Sequence, residues 1–352
     1  MNLDDILALP PFGHAQADKE AWLREGLTAL ERHHRAACPA YAGWSRAMFP
    51  EGEAADSLVA LPWLPVGVFK SHHLASVPPE AIVRTLSSSG TTGQAVSRIP
   101  LDAATAARQS RALSRIMQAV LGPKRLPMLI IDSESILARR DTLSARGAAI
   151  LGMMPFGHGH AFALDAELAP RPAVITDFLA RHGGAPFLIF GMTFMVWRHL
   201  AGAVAAGSLA NGILIHGGGW KAMADQGVDN AAFKAELARR TGLARVVNFY
   251  GMAEQVGSVF LEGEDGRLHA PAAADILIRD PRTLAEAPLG TPGLIQVLSL
   301  LPTSYPGHSI LTEDWGVVEA VDQGAWKGKA FRVLGRVPRV ELRGCSDVAA
   351  AP

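Results

Sequence analysis

Cysteine and net charge are scarce in this 352-residue chain, and each scarcity excludes a class of protein. The two cysteines, Cys38 and Cys345, are too few for the disulfide framework of a small secreted domain. The 33 lysines and arginines balance the 33 aspartates and glutamates. This balance argues against a broad basic surface, so we expect no nucleic-acid partner.

Long apolar runs and a basic N-terminus are also missing. The longest apolar stretch, residues 185–197, is too short to span a bilayer. Asp4 and Asp5 stand where a secretory signal would carry positive charge. We therefore expect a cytoplasmic protein without integral membrane association. Its length suits one large domain with subdomains, or two domains.

The most informative feature that is present is a segment rich in small polar residues. Residues 86–94 read Leu-Ser-Ser-Ser-Gly-Thr-Thr-Gly-Gln. Small residues let the backbone approach an anion, while N–H and hydroxyl groups donate to phosphate oxygens. Gln94 stands where a Walker loop needs lysine, so we predict a nucleotide site but not a P-loop NTPase. The alternative is a surface linker. The predicted phosphate-binding residues are Ser88, Ser89, Gly90, Thr91, Thr92 and Gly93.

Strand and helix patterns alternate through the middle of the chain. The candidate strands are 128–131, 187–190, 213–215 and 245–249, and the candidate helices are 144–151, 172–182 and 229–240. Repeated βα units indicate an α/β fold whose largely parallel sheet binds ligands at the carboxyl ends of its strands. After residue 259, apolar runs at 276–278, 294–298 and 310–318 predict an antiparallel or barrel-like subdomain.

Two further informative segments follow the serine-rich loop along the chain. Residues 250–254 read Tyr-Gly-Met-Ala-Glu after a strand-like run, and residues 312–316 read Thr-Glu-Asp-Trp-Gly, followed by Gly335 and Arg336. In this order the three segments resemble the signatures of the adenylate-forming superfamily, which includes acyl-CoA synthetases, luciferases and peptide adenylation domains. The resemblance implies the N-terminal domain of that fold.

Nearly the whole chain resembles a narrower group, the acyl-protein synthetases of bacterial luminescence, or long-chain-fatty-acid luciferin-component ligases. The other segments that carry this resemblance are Val-Phe-Lys-Ser at 68–71, Ser-Arg-Ile at 97–99, Leu-Ile-Ile-Asp at 129–132, Phe-Gly-Met-Thr-Phe at 190–194, Ile-His-Gly-Gly-Gly-Trp-Lys at 215–221 and Arg-Gly-Cys-Ser at 343–346. Its members use ATP and Mg²⁺ to activate a carboxylic acid.

The resemblance also implies roles for acidic and basic side chains. Glu254 would hold Mg²⁺, Asp314 would accept hydrogen bonds from the ribose hydroxyls, and Arg336 would contact the nucleotide. The alternatives are a glutamate in the first turn of a helix, a turn aspartate and an ordinary surface arginine. The residues expected around the adenine are Gly217, Gly218, Gly219, Tyr250 and Gly251.

The acyl group needs an apolar pocket. Its candidates are Phe190, Met192, Thr193, Phe194 and Trp197, for which plain core packing is an equal alternative. Lys70 is a further candidate for a phosphate or carboxylate contact. His158 and His160 lack neighbouring ligands at metal-binding spacing, so we predict no metal site there.

The end of the chain differs from the wider superfamily. Ordinary members continue past the Gly-Arg hinge into a lid domain with a catalytic lysine, and here we expect that lid to be absent or vestigial. We divide the chain into an AMP-binding domain, residues 1–334, and a short tail, residues 335–352. The resemblance implies that Cys345 in this tail receives the acyl group, and Arg343 would lower its thiol pKa.

These observations predict an ATP-dependent acyl-protein synthetase with Thr92, Glu254 and Cys345 as catalytic residues. A carboxylic acid, in particular a fatty acid, and ATP would give acyl adenylate and pyrophosphate. The acyl group would then pass to Cys345 and on to a partner such as an acyl reductase. The alternatives are a phenylacetate-type acyl-CoA ligase and a nucleotide-binding subunit without catalysis.

Overall fold

The computed structural model describes residues 1–50, 56–87, 96–137, 145–218, 220, 223 and 227–337. Its α-helices are α1 (Leu3–Ala8), α2 (Gln16–Ala37), α3 (Pro39–Met48), α4 (Val68–Ser71), α5 (Ala103–Leu121), α6 (Ala145–Met153), α7 (Pro172–His182), α8 (Thr193–His199) and α9 (Asn230–Thr241). Within these ranges, no helix is long and apolar enough to cross a membrane.

The strands build one large mixed sheet and a separate hairpin. They are β1 (Leu64–Pro65), β2 (Ile82–Ser87), β3 (Arg98–Asp102), β4 (Leu126–Ser133), β5 (Gly157–Leu164), β6 (Phe187–Met192), β7 (Gly212–Gly217), β8 (Arg245–Tyr250), β9 (Phe260–Glu262), β10 (Leu268–His269), β11 (Ala274–Arg279), β12 (Gly293–Ser299), β13 (Ser309–Val321) and β14 (Lys329–Arg336). The sheet order is β11-β12-β13-β14-β10-β9-β8-β7-β6-β4-β5, β1 joins it beside β13, and β2 pairs with β3.

The half of the sheet from β5 to β8 is parallel, as the alternating pattern predicts. Its strands are buried on both faces, because Leu129 and Ile131 enter one apolar core and Met128 and Ile130 enter another. This double burial explains why these strands read as continuous apolar runs. The predicted α/β fold is confirmed.

Helix ends also follow their local sequence signals. The Asp102 carboxylate accepts a 2.7 Å hydrogen bond from the Thr105 N–H and starts α5. The Asp229 carboxylate caps α9 in the same way, and Gly242 ends α9 with a φ of +76°. An L-residue with a side chain rarely adopts this backbone conformation, so glycine is the suitable residue there.

One strand was not expected, and the form of the C-terminal subdomain is now defined. Strand β5 forms beside β4, although its sequence, Gly-His-Gly-His-Ala-Phe-Ala-Leu, carries no clear strand pattern. The C-terminal strands β11 to β14 pair antiparallel and continue into the parallel half through β10 and β9. Of the two forms expected for this subdomain, the structure therefore has the antiparallel sheet. Strand β14 includes residues on both sides of the predicted boundary between the domain, residues 1–334, and the tail, residues 335–352. The division of the chain into these two parts stays a prediction.

Candidate active site

The carboxyl ends of β6, β7 and β8 lie side by side. In the strand register, Met192 pairs with Gly217 and Gly217 pairs with Phe249. The turn after β7 is crowded: a Cβ on Gly217 would lie 2.7 Å from the Phe249 carbonyl oxygen, and Gly218 has a φ of +65°. Glycine is therefore required where the chain leaves the sheet. Gly219 lies outside the described residues.

Tyr250, Asp314 and Arg336 come together at this edge of the molecule. The Tyr250 hydroxyl donates a 2.7 Å hydrogen bond to Asp314 Oδ2. Arg336 Nε lies 3.4 Å from Asp314 Oδ1, because the two residues are paired in the β13–β14 register. Burial, and then the charge of Asp314, raises the pKa of Tyr250 well above its ordinary value, so the hydroxyl remains a donor.

Gly251 follows Tyr250 directly and leads to a short 3₁₀-helix, Ala253–Gln255, that carries Glu254. Glu254 is 5% exposed, no hydrogen bond or ion pair to its carboxylate is found among the described residues, and its oxygens are not among the fully buried atoms that lack a partner. A three-residue helix offers little dipole, so the first-turn explanation of this glutamate is weak. Its oxygens therefore remain accessible to water or to a cation, and a carboxylate is a ligand that Mg²⁺ prefers.

The surroundings of Glu254 fit Mg²⁺ better than a metal held only by protein. The described residues contain no group of three or more histidine, cysteine, aspartate or glutamate side chains that could hold a metal ion. Mg²⁺ at phosphate-binding sites is usually held by one or two carboxylates, phosphate oxygens and water. Glu254 alone can supply that carboxylate.

Four of the five acyl-pocket candidates lie near one another. Met192, Thr193, Phe194 and Trp197 are at the end of β6 and on α8, and the three apolar ones pack against the core on one face of the sheet. Phe190 belongs to the core of the opposite face, where its ring stacks with Phe249. The structure therefore separates Phe190 from the other candidates.

His216 is a residue in this region to which the sequence analysis gave no role. It is fully buried on β7, its Nδ1 lies 2.9 Å from Thr193 Oγ1, and its ring contacts those of Trp220 and Phe233. Burial, and then the nearby charge of Lys234, lowers its pKa to about 3, so the ring is neutral. Its place immediately before the glycine-rich turn was the available sequence signal.

Part of the predicted site falls outside the described residues, namely Ser88, Ser89, Gly90, Thr91, Thr92, Gly93 and Cys345. The serine-rich segment connects β2 to β3, whose last and first residues, Ser87 and Arg98, are paired. Lys70 is half-buried on α4, next to β1, which pairs with β13 ahead of Asp314. Strand β1, which precedes α4, therefore lies beside β13, the strand that carries Asp314.

Solved structures define the class of protein to which this fold belongs. A 2-hydroxyisobutyryl-CoA ligase in complex with 2-HIB-AMP and CoA matches with a TM-score of 0.70 and 16% identity, covering 95% of this chain and 78% of that one. ATP-bound MatB from Rhodopseudomonas palustris matches with a TM-score of 0.51 and 19% identity, covering 74% of this chain and 49% of that one. The chain has the fold of adenylate-forming enzymes.

Sequence comparison then identifies the family. Residues 1–351 match the family described as "Acyl-protein synthetase, LuxE", and the chain belongs to that family. The long-chain-fatty-acid–luciferin-component ligase of Vibrio harveyi is 22% identical over 308 residues, which cover 84% of this chain and 79% of the relative. The ligase of the same name from Aliivibrio fischeri is 28% identical over 136 residues, 38% of this chain and 36% of the relative.

Proposed function

We propose that this protein activates a carboxylic acid, in particular a fatty acid, by reaction with ATP. The carboxylate oxygen attacks the α-phosphorus, the bond from that phosphorus to the bridging oxygen breaks, and pyrophosphate leaves. The observation that carries the proposal is the assembly of Tyr250, Asp314 and Arg336 at the edge where the Glu254 carboxylate has no side-chain partner among the described residues. The family of the chain supports the same reaction.

Each residue has a role in binding or orienting the reactants. Asp314 accepts hydrogen bonds from the ribose, and Tyr250 and Arg336 hold its carboxylate in place from either side. Glu254 would hold Mg²⁺, and the ion would neutralise charge on the phosphates. The serine-rich segment, with Thr92, donates hydrogen bonds to the phosphate oxygens.

The acyl chain lies along Met192, Thr193, Phe194 and Trp197, beside the neutral His216. A neutral imidazole does not attract the carboxylate away from the nucleotide, and the apolar side chains suit a hydrocarbon chain. Phe190 supports this surface only from the other face of the sheet.

Transfer of the acyl group is the second half of the proposal. The Cys345 thiolate attacks the acyl carbon, a thioester forms, and AMP leaves; the acyl group then passes to a partner such as an acyl reductase. The scarcity of cysteine agrees with a reducing, cytoplasmic location. Direct transfer to coenzyme A is the competing outcome.

One experiment tests both halves. Pyrophosphate release is measured with ATP, Mg²⁺ and a series of fatty and aromatic acids, and labelled acid is followed on the intact protein by mass spectrometry. We expect release with fatty acids, a loss of about a hundredfold in Glu254→Gln, and a hydroxylamine-sensitive label that maps to Cys345.

Two controls separate activation from transfer. Cys345→Ser is expected to release pyrophosphate in a single turnover but to keep no label, whereas Cys38→Ser, which changes a buried core thiol, is expected to behave like the wild type. A folded wild-type protein that releases no pyrophosphate with any acid contradicts the activation step. An undiminished label in Cys345→Ser contradicts the transfer step.

A further inference from the structure

Most of the connection between β12 and β13 is held from several sides; we refer to its residues 302–308 as the 302–308 segment. From α2, His34 Nε2 lies 3.1 Å from the Pro302 carbonyl oxygen. From α5, Arg108 Nη1 donates a 2.8 Å hydrogen bond to Thr303 Oγ1. The segment is therefore fixed to helices that lie far from it in the sequence.

Its strongest anchor is a buried carboxylate on α2. Glu31 accepts hydrogen bonds from Arg35 Nε at 2.6 Å and Ser45 Oγ at 2.8 Å on one oxygen, and from Tyr41 Oη on the other. That second oxygen also lies 3.1 Å from His308 Nε2, although the two residues are 277 positions apart. Both side chains of this pair are almost fully buried.

The surroundings of Glu31 and His34 determine the protonation of both side chains. Burial opposes the charge on Glu31, but the hydrogen bond and positive charge of His308, with hydrogen bonds from Tyr41 and Ser45, lower its pKa to about 2. His34 stacks on His308 at 5.0 Å, and burial together with the charge of His308 lowers the pKa of His34 well below its ordinary value. Glu31 and His308 thus form a buried hydrogen-bonded pair beside the neutral ring of His34.

The residue before His308 touches the residue proposed to hold Mg²⁺. A Cβ on Gly307 would lie 2.8 Å from the Glu254 carbonyl oxygen, so the two backbones are in direct contact. The Gly307 carbonyl oxygen accepts a 2.8 Å hydrogen bond from Gln255 Nε2. The pKa of Tyr305 is raised by burial and then by the charge of Glu254, which places that carboxylate near the same segment. The short helix carrying Glu254 therefore rests on the 302–308 segment.

We propose that Glu31 is a positioning residue for the Glu254 carboxylate. Glu31 fixes His308, His308 fixes Gly307, and Gly307 supports the backbone of Glu254 where Mg²⁺ and the ATP phosphates bind. This inference rests on the proposed role of Glu254 and goes beyond it, because Glu31 lies on an N-terminal helix and touches neither metal nor nucleotide. A buried polar group that loses its hydrogen-bond partner is costly, so weakening the contact with Glu31 displaces His308.

The test compares Glu31→Gln with a matched control, Asp275→Asn. Asp275 is equally buried and also ties α2 to the sheet, through a 2.6 Å hydrogen bond from Gln16 Nε2, but it does not contact the 302–308 segment. Four quantities are measured on the full-length protein. They are the Mg²⁺ concentration for half-maximal ATP binding, by calorimetry, amide hydrogen exchange of residues 252–258 without nucleotide, KM for the acid, and the melting temperature.

In Glu31→Gln we expect about a tenfold higher Mg²⁺ requirement and faster exchange at residues 252–258, with KM for the acid within about twofold of wild type. Asp275→Asn is expected to lower the melting temperature without either change. An unchanged Mg²⁺ requirement in Glu31→Gln, or an equal shift in Asp275→Asn, overturns the proposal.

If Glu31→Gln does not fold, Tyr41→Phe provides a second test of the proposal. It removes one hydrogen bond to the same carboxylate and retains the pair with His308, so we expect a shift of about threefold in the same direction. No shift in a folded Tyr41→Phe counts against the proposal. If Glu254→Gln binds Mg²⁺ and ATP like the wild type, the metal role of Glu254 fails, while the exchange of residues 252–258 still reports whether Glu31 supports them.

Discussion

At the residue scale, the proposed nucleotide end of the site depends on how one carboxylate is oriented. Asp314 is mostly buried, and each of its oxygens faces a different partner: the Tyr250 hydroxyl on one side and the exposed Arg336 on the other. The hydrogen bond from Tyr250 is the shorter contact and lies in the more buried position. It should therefore contribute more to orientation than the arginine, whose charge is screened by water.

Tyr250→Phe tests this distinction, because it keeps the ring and removes only the hydroxyl. We expect KM for ATP to rise about tenfold, since the lost hydrogen bond to a charged group is worth about 1.5–3 kcal/mol. Steady-state pyrophosphate release against ATP concentration measures it. Arg332→Gln is the control, as it breaks an exposed ion pair with Glu319 on the neighbouring strand. Equal KM values in Tyr250→Phe and wild type would show that Asp314 is held by other means.

At the element scale, α9 covers the parallel half of the sheet beside His216, and its end is set by backbone geometry. Gly242 ends α9 with a φ of +76°, and a Cβ there would lie 2.9 Å from the Gly207 Cα. Gly290 has a similar φ of +81° but open space where a Cβ would stand. Comparing an alanine substitution at each glycine therefore distinguishes the effect of backbone strain from that of steric conflict.

We expect Gly290→Ala to lower the free energy of unfolding by about 1 kcal/mol, the cost of a left-handed residue with a side chain. Gly242→Ala has the same backbone strain and also a steric conflict with the Gly207 backbone, so we expect its free energy of unfolding to fall by about 3 kcal/mol. Urea denaturation measures both. Equal losses in the two variants would mean that the Gly207 turn moves freely away from α9.

At the scale of the whole molecule, stability depends on ionisable groups buried in different parts of the fold. His216 lies in the parallel half with its pKa lowered to about 3, and Glu31 joins α2 to the β12–β13 connection with its pKa lowered to about 2. Both folded-state values lie below those of the unfolded chain. On acidification the unfolded chain therefore binds protons first, and the native state loses stability.

The loss from His216 should begin below about pH 6.5 and continue to about pH 3, whereas the loss from Glu31 should begin below about pH 4.5 and end near pH 2. Between pH 7 and pH 5 we expect His216 to account for about 2 kcal/mol of the decrease in unfolding free energy. Urea denaturation of wild type and His216→Phe at both pH values measures this share. The same decrease in both proteins would assign the pH dependence to other groups, such as His34.

Local sequence patterns determined the helix ends, the parallel half of the sheet and the three signature segments. Asp102, Asp229 and Gly242 determine helix ends through contacts with their own neighbouring backbone. A strand that is buried on both faces must be apolar throughout. Both patterns are therefore visible in consecutive residues of the sequence. The roles proposed for Glu254 and Asp314 likewise come from short motifs, through the family resemblance.

Only the tertiary structure decided which distant residues meet. Phe190 and Met192 pack against the cores on opposite faces of the sheet, although strict strand alternation would place residues two apart on one face. Sheet pairing joins Asp314 to Arg336, and the fold brings Tyr250 to Asp314. The pair of Glu31 and His308 spans most of the chain and has no local pattern at either end. Such contacts depend on how the chain packs as a whole, because a buried charge is stable only beside a partner that the fold delivers.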